Sequence, residues 1–424
     1  MSSPGSDIAE GIAPEQPEHI RPAARKYEPE PWHRVRKEFI RQNQWNKLAA
    51  RLVKGSWRRQ LQHDEIPWSL NEAESDEALE VPTGVALERP LRCLVIPGDD
   101  LLDLRALWRD LRPWNCFIRY LGFNESQGSD QLGTRVHLAN NDVTSLARMD
   151  RNSCVLADRF ESIARPQSLA SRYLHDYGPY HIVNLDLCGS MFPNTAAPVK
   201  PFYDAVMSLL IYQFAKQTSP WLLFVTTMVE PAVVDTPALC DRCGPTRKNF
   251  DAHPDFAERM ARLLPASVFQ ADNASVDITG LSDEQVTQLF GVAFGKWLLA
   301  VCQSSSPKWS LSMRPSYRYC INEEKGAEML SLAFELAPNF VPPVDPIGIS
   351  QVETTTKRFP DESECAVKLA ESVANIRDVD TLLAGDTAMK TVLRDAQADL
   401  LAAAGYDRAA YIQWVEDGEV IAPN

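Results

Sequence analysis

An α/β architecture with a mostly parallel, doubly wound sheet is the fold class that the sequence predicts, and three observations lead to it. Between Leu91 and Val229, short apolar runs alternate with longer segments of helical spacing. The short runs are apolar at consecutive positions rather than at every second one, the pattern of strands covered on both faces. Most of them close on glycine, asparagine or aspartate, where a parallel strand turns toward its helix. A basic helix is expected before this unit, with α+β and helical extensions after it.

Residues 1–31 are rich in Pro, Glu, Ser and Ala without periodicity and read as a disordered leader. Residues 32–90 form a basic helical segment. In it Val35, Phe39, Ile40, Leu48 and Leu52 recur at helical intervals, and Gly55 is the stop signal. A polar, acid-rich stretch from Asp64 to Glu80 leads on to Pro90.

The central α/β domain is expected over residues 91–245. Its strands lie in RCLVIPG, CFIRYLGF, SCVLAD, YHIVNLDL and WLLFVTTMV, and its helices in LLDLRALWRDL, SLASRYLHDY and FYDAVMSLLIYQFAKQ. Residues 246–345 read as an α+β extension. It holds helices in HPDFAERMARLL and DEQVTQLFGVAFGKWLLAV and strands in KWSLSMRPSYRYCIN and EMLSLAFEL. After the Pro-rich linker NFVPPVDPIG, residues 346–424 form a helical module of three short amphipathic pieces, beginning at Asn375, Thr387 and Asp407.

The chain has 424 residues, 45% hydrophobic, with a formal net charge of −14, which argues against a protein that coats nucleic acid indiscriminately. The charge is unevenly placed: from Arg21 to Arg59 there are twelve Arg and Lys against three acids. An anionic partner or an acidic face of the same protein could receive such a segment. The absence of an apolar run of about eighteen residues predicts no membrane partner, and a first segment without signal-peptide character predicts a cytoplasmic protein. Cys240-x-x-Cys243 has no second pair at suitable spacing, so no metal is expected. Neither a GK[ST] phosphate loop nor a G-x-S-x-G elbow occurs, which disfavours P-loop and serine-hydrolase chemistry.

In an open parallel sheet, ligands bind beyond the carboxyl ends of the strands, so the residues that end each strand are the candidates. They are Pro97-Gly98-Asp99-Asp100, Asn124-Glu125, Asp158-Arg159-Phe160, Asp186-Leu187-Cys188-Gly189-Ser190 and Thr226-Thr227. A plain structural use is open to each: Gly98 for a tight turn, Asp99, Asp100 and Asp103 for a negative helix start, Asp186 for a cap or an ion pair. The segment from Trp32 to Trp45 interleaves bases with aromatics, as binders of single strands do. Arg36, Lys37 and Arg41 would then meet phosphates while Trp45 stacks. Its alternative is a helix docked on the acidic body with Trp32 and Trp45 buried.

These strand ends resemble those of class I S-adenosylmethionine-dependent methyltransferases, and among them the tRNA guanine-26 dimethyltransferases. IVNLDLCGS is similar to their strand ending in Asp-Pro-Phe-Gly-Ser, WLLFVTT to their next strand ending in Thr, and LCDRCG to their Leu-Cys-Gly segment. The resemblance covers about Leu91 to Gly244 and implies a Rossmann-like fold, S-adenosylmethionine as cofactor and a nucleic-acid base as methyl acceptor. It implies cofactor contacts at Pro97, Gly98, Asp99, Asn124, Glu125, Asp158, Arg159 and Phe160. Asp186 would be the catalytic acid holding the acceptor amine, with Cys188, Gly189 and Ser190 beside the substrate. The alternative is a catalytically degenerate scaffold that binds nucleic acid or a protein partner in a multi-component bacterial system, with the C-terminal helices as a docking module.

Overall fold

The computed structural model of the protein describes residues 25, 27–57, 89–125, 130–187, 189–193, 200–265, 268, 278, 280–321, 329–339 and 360–419. Residues 1–24 of the expected leader, the acidic stretch Asp64–Glu80, Cys188 and nearly all of the Pro-rich linker lie outside them.

One eight-stranded sheet organises the chain. Its strands are β1 (Leu91–Val95), β2 (Ile118–Phe123), β3 (Cys154–Leu156), β4 (Ile182–Asp186), β5 (Trp221–Met228), β6 (Trp309–Tyr319), β7 (Met329–Pro338) and β8 (Arg377–Asp378). They lie in the order β3-β2-β1-β4-β5-β7-β6-β8. β1 to β5 are mutually parallel, β7 runs antiparallel to both β5 and β6, and β8 pairs parallel to β6. The two strands read as an α+β extension therefore continue the sheet of the central domain rather than starting another.

Consecutive strand residues serve opposite faces, as the pleat requires. Cys93 and Val95 belong to one buried cluster and Leu94 to the other; Leu222 and Phe224 oppose Leu223 and Val225 in the same way. The helices Leu169–Tyr177, Lys200–Lys216 and Asp283–Ser304 cover one face. The N-terminal helix, Leu102–Leu111, Asp130–Ser145 and Thr387–Ala403 cover the other. Asp283–Ser304 is, among the described residues, the one helix long and apolar enough to cross a membrane, and most of it is buried in the core.

Two elements depart from the sequence reading, and one quoted segment is given its place. Helix Asp130–Ser145 reads in the sequence as a polar region, because the side chains it buries in its described part are few, Val136, Ala139 and Val143. LCDRCG lies within the paired helices Thr236–Arg242 and Gly244–Ala252, where Cys243 is core. Arg377–Asp378, expected as helix, adds two strand residues to β6 before the helix Val379–Gly385 begins.

Candidate functional site

The strand order reverses between β1 and β4, each of which leads its chain connection to a different side of the sheet. Such a switch point opens a crevice at the carboxyl edge. A cavity of about 520 Å³ lies there. Pro97, Gly98, Asp99, Asn124, Glu125, Asp158, Arg159, Phe160, Asp186, Gly189 and Ser190, all singled out from the sequence, line it together. Gly98, Asp158 and Asp186 thus share one rim, although they are supplied by three different strand ends.

The β1 loop is held from below and above. Gly122 of β2 carries Pro97 directly over it: a Cβ there would stand 3.0 Å from Val155 Cγ2 and 3.3 Å from Pro97 Cγ. Asn124, itself buried, donates from Nδ2 to Pro97 O at 3.0 Å and to Asp99 Oδ1 at 3.1 Å. The loop ends at Leu101 in the left-handed conformation, φ 52° and ψ 36°. For a leucine that costs about 1–2 kcal/mol, a strain retained because Leu101 is wholly buried and its N–H donates to Gly98 O at 3.0 Å.

At the β3 end, Asp158 Oδ1 accepts from Arg159 N at 2.8 Å and from Ser162 Oγ at 2.6 Å, opening the short helix Phe160–Ala164. Phe160 is 2% exposed and packs edge-on against Phe123, so it is a wall of the cavity rather than a mobile flap. Glu125 and Arg159 pair at the exposed mouth. At the β4 end, Thr227 of β5 fixes the following loop: its Oγ1 accepts from Met191 N at 2.8 Å, and Met228 N donates to Gly189 O at 3.0 Å.

Seven carboxylates line the cavity (Asp99, Asp100, Asp103, Glu125, Asp158, Glu161 and Asp186) against the guanidiniums of Arg41 and Arg159. Several are matched by cations from behind. Asp100 is held by Arg135 and by Tyr406, whose hydroxyl donates at 2.8 Å. Burial alone would raise its carboxyl, and Arg135 outweighs burial, leaving it below the ordinary range. Asp103 Oδ1 accepts from Arg41 Nε at 2.7 Å, and Asp186 Oδ1 accepts from Lys37 Nζ at 2.6 Å. Burial acts to strip the Lys37 proton, but Asp186, Tyr319 and Asp103 outweigh it and hold the ammonium above the usual lysine range. Burial raises the Asp186 carboxyl, and Lys37 opposes that rise.

The assignment of Arg36, Lys37, Arg41 and Trp45 to a nucleic-acid surface is corrected by this packing. Their helix, running from Val35 through a π-helical stretch Arg41–Asn46, docks on the acidic body. Arg36 pairs with Asp380 and Glu419. Arg41 also donates to Gln397 Oε1 at 3.0 Å. Lys37 lies 4.7 Å from the ring of Trp45, which is 3% exposed and touches Phe224. Arg36, Lys37 and Trp45 are thereby turned to the body rather than to an outer nucleic-acid surface, and Arg41 faces the cavity beside Asp103. Arg25 and Tyr27, read as leader, are tied to the body: Arg25, itself exposed, donates from its N to Gly405 O at 2.8 Å, and Tyr27 sits among His33, Tyr406, Tyr411 and Trp414.

Trp32, Leu102, Glu161, Pro193 and Phe202 also line the cavity without having been assigned to it, and the Lys37–Asp186 contact was not foreseen. The excess of positive charge between Arg21 and Arg59 was the signal available for the latter. Among the described residues no group of three His, Cys, Asp or Glu is placed to hold a metal ion.

Fold and site together define an α/β protein with an acid-rich, largely preformed cleft at the carboxyl edge of a parallel sheet. The chain belongs to the PP_RS20740-like family, whose model matches residues 26–416. No curated protein and no solved structure matches it.

Proposed function

We propose that the chain is a class I methyltransferase-like protein that takes up S-adenosylmethionine in the cleft between Gly98, Asp158 and Asp186 and acts on a nucleic-acid base. The observation that carries this reading is the convergence of four parallel strand ends on one cavity at the sheet's switch point. The parallel order β3-β2-β1-β4-β5, extended by an antiparallel β7, fits the Rossmann-like sheet that the sequence resemblance implies.

The lining suits the cofactor. Its volume falls within the roughly 300–1,000 Å³ of small-molecule sites. Gly98 and Gly189 both border it, and a Cβ built on either meets nothing within 4 Å, so the missing side chains leave room for a ligand against the backbone. The surplus of carboxylates favours a cation, and a sulfonium amino acid is one. When bound, that group supplies an electrophilic methyl. Asp158 and Glu125 are at hand to accept hydrogen bonds from ribose hydroxyls, Asp99 to face the cationic end, and Asp186 to orient an acceptor amine.

The Lys37–Asp186 ion pair favours a second reading. It neutralises the one acid assigned to the acceptor, as a cleft kept for recognition rather than chemistry would allow. Thermal unfolding with increasing S-adenosylmethionine tests the proposal. At a hundred times the dissociation constant a ligand of the native state adds about 2.7 kcal/mol, so the midpoint should climb with concentration. No shift at millimolar ligand sinks the cofactor reading. A shift without methyl transfer to RNA or DNA selects the scaffold.

A further inference from the structure

With the N-terminal basic helix turned inward, a different face carries exposed cations on aromatic rings. Three such pairs cluster at the amino edge of β1 and β2. Lys54 Nζ stands 4.3 Å from the ring of Trp114, the Arg112 guanidinium 5.8 Å from Trp108, and the Arg148 guanidinium 5.9 Å from Phe117. All three cations are exposed, and the three rings are half-buried. Trp108, Arg112 and Arg148 also line a hollow of about 220 Å³. Among the described residues no carboxylate pairs with any of the three cations.

The backbone beneath them turns through two left-handed residues. Of the four described non-glycine residues with positive φ, two meet here: Asn115 at 50° and Arg148 at 69°. Asparagine tolerates that region, whereas for arginine it is costly. Arg148 Nη2 donates to Asn115 O at 3.0 Å, so the two left-handed residues brace one another and fix the guanidinium over the ring. The Arg148 side chain is exposed, while its backbone is tied to the sheet: its O accepts from Ile118 N at 2.9 Å, and the next residue, Met149, is buried.

We propose that this face is a docking site for single-stranded nucleic acid, with Arg112, Arg148 and Lys54 meeting phosphates and Trp108 and Phe117 offering faces for bases. Cations that neutralise phosphates beside rings on which bases stack are the recurring means of holding a single strand without reading its sequence. Leu91 N donates to Phe117 O at 2.7 Å, which places the patch at the strand starts, whereas the acid-rich cavity is at the strand ends. At about 3.3 Å per residue the two are roughly 16–20 Å apart along β1 and β2. The patch therefore anchors a flanking part of a strand and not the base presented to the cleft. It stands on surface geometry alone and does not rest on the methyltransferase reading.

The test is fluorescence anisotropy with a labelled oligothymidylate of about 15 nucleotides, within reach of a single-strand site, measured across salt concentrations without cofactor. The wild-type chain should bind, and affinity should fall steeply with salt. Arg112→Glu with Arg148→Glu should weaken binding about ten-fold or more and flatten the log–log salt slope by about 1.4, two phosphate contacts at about 0.7 each. Trp108→Ala should weaken it and Trp108→Phe restore it. No binding by the wild type, a double variant that binds undiminished with an unchanged melting midpoint, or equal competition by polyglutamate would each overturn the proposal. Cofactor binding by the double variant is read separately by thermal shift, so loss of docking and loss of the cleft reading remain distinguishable.

Discussion

Lys37 Nζ lies 2.6 Å from Asp186 Oδ1, joining the N-terminal helix to the carboxyl end of β4 across 149 residues of sequence. The lysine side chain is 5% exposed and the aspartate 17%. Each charge is tolerable because the other is present, since a charge left alone at such depth lacks the water that would solvate it.

Lys37→Met should therefore destabilise the fold by about 3 kcal/mol, most of it the cost of stranding Asp186. Asp186→Asn in the same background should restore part of that loss. Urea unfolding of the two single variants and the double variant measures the coupling. Strict additivity would mean that the contact contributes nothing.

The strand ends were legible because a parallel strand must stop, turn and start a helix, and Gly98, Asn124, Asp158 and Asp186 stand where those turns fall. Their meeting at one cavity follows from the sheet order, which alternation of strand and helix implies. What covers the cavity was not legible. Lys37, Arg41 and Trp45 carry the composition of a phosphate-binding arm, and the same composition serves a helix that must neutralise Asp186 and Asp103. Only the location of the acids in space separates the two. Gly122 was similarly silent, because its need is the proximity of Pro97 and Val155 on neighbouring segments. Arg148 was silent too, because its place over Phe117 depends on the fold.

His33 should make stability acid-sensitive. It is wholly buried between Tyr27 and Tyr406, and neither ring nitrogen has a hydrogen-bond partner among the described residues. Burial lowers it from 6.5 to about 3. Below pH 6.5 the unfolded chain takes up a proton that the folded chain refuses, so stability falls as pH drops from 6.5 toward 3. The slope is about 1.4 kcal/mol per pH unit for one proton. His181, half-buried, is shifted in the same direction by desolvation, and carboxylates add to the loss at lower pH. The readout is the difference between His33→Phe and wild type. The variant's stability should decline less steeply between pH 6 and pH 4, and parallel curves would refute the assignment.

Gln44 latches the N-terminal helix to the sheet. Its Nε2 donates to Pro315 O at 2.9 Å and to Ser331 O at 3.0 Å, and its Oε1 accepts from Ser331 Oγ at 2.6 Å. Gln44→Met keeps the volume and removes every one of these bonds, leaving buried acceptors unmatched at about 1–3 kcal/mol in total. Hydrogen exchange should show the segment 35–57 opening more often in this variant while the amides of β4 and β5 keep their protection. Uniform loss of protection would place the latch in the global core instead.

Gly98 and Gly122 make opposite predictions although both serve the β1 loop. A side chain at Gly98 points into open cavity, so Gly98→Val should leave the melting midpoint of the free protein within the spread of neutral surface changes, about 0.5 kcal/mol. The same side chain fills the room beside the backbone, so any midpoint rise with S-adenosylmethionine should shrink or vanish. At Gly122 the Cβ would press on Val155 and Pro97, so Gly122→Ala should cost about 1–3 kcal/mol of stability through overpacking, before ligand is added. Paired thermal melts with and without ligand separate the two effects. A Gly98→Val protein that keeps the full ligand response would remove the β1 loop from the binding site, whatever becomes of the rest of the cleft.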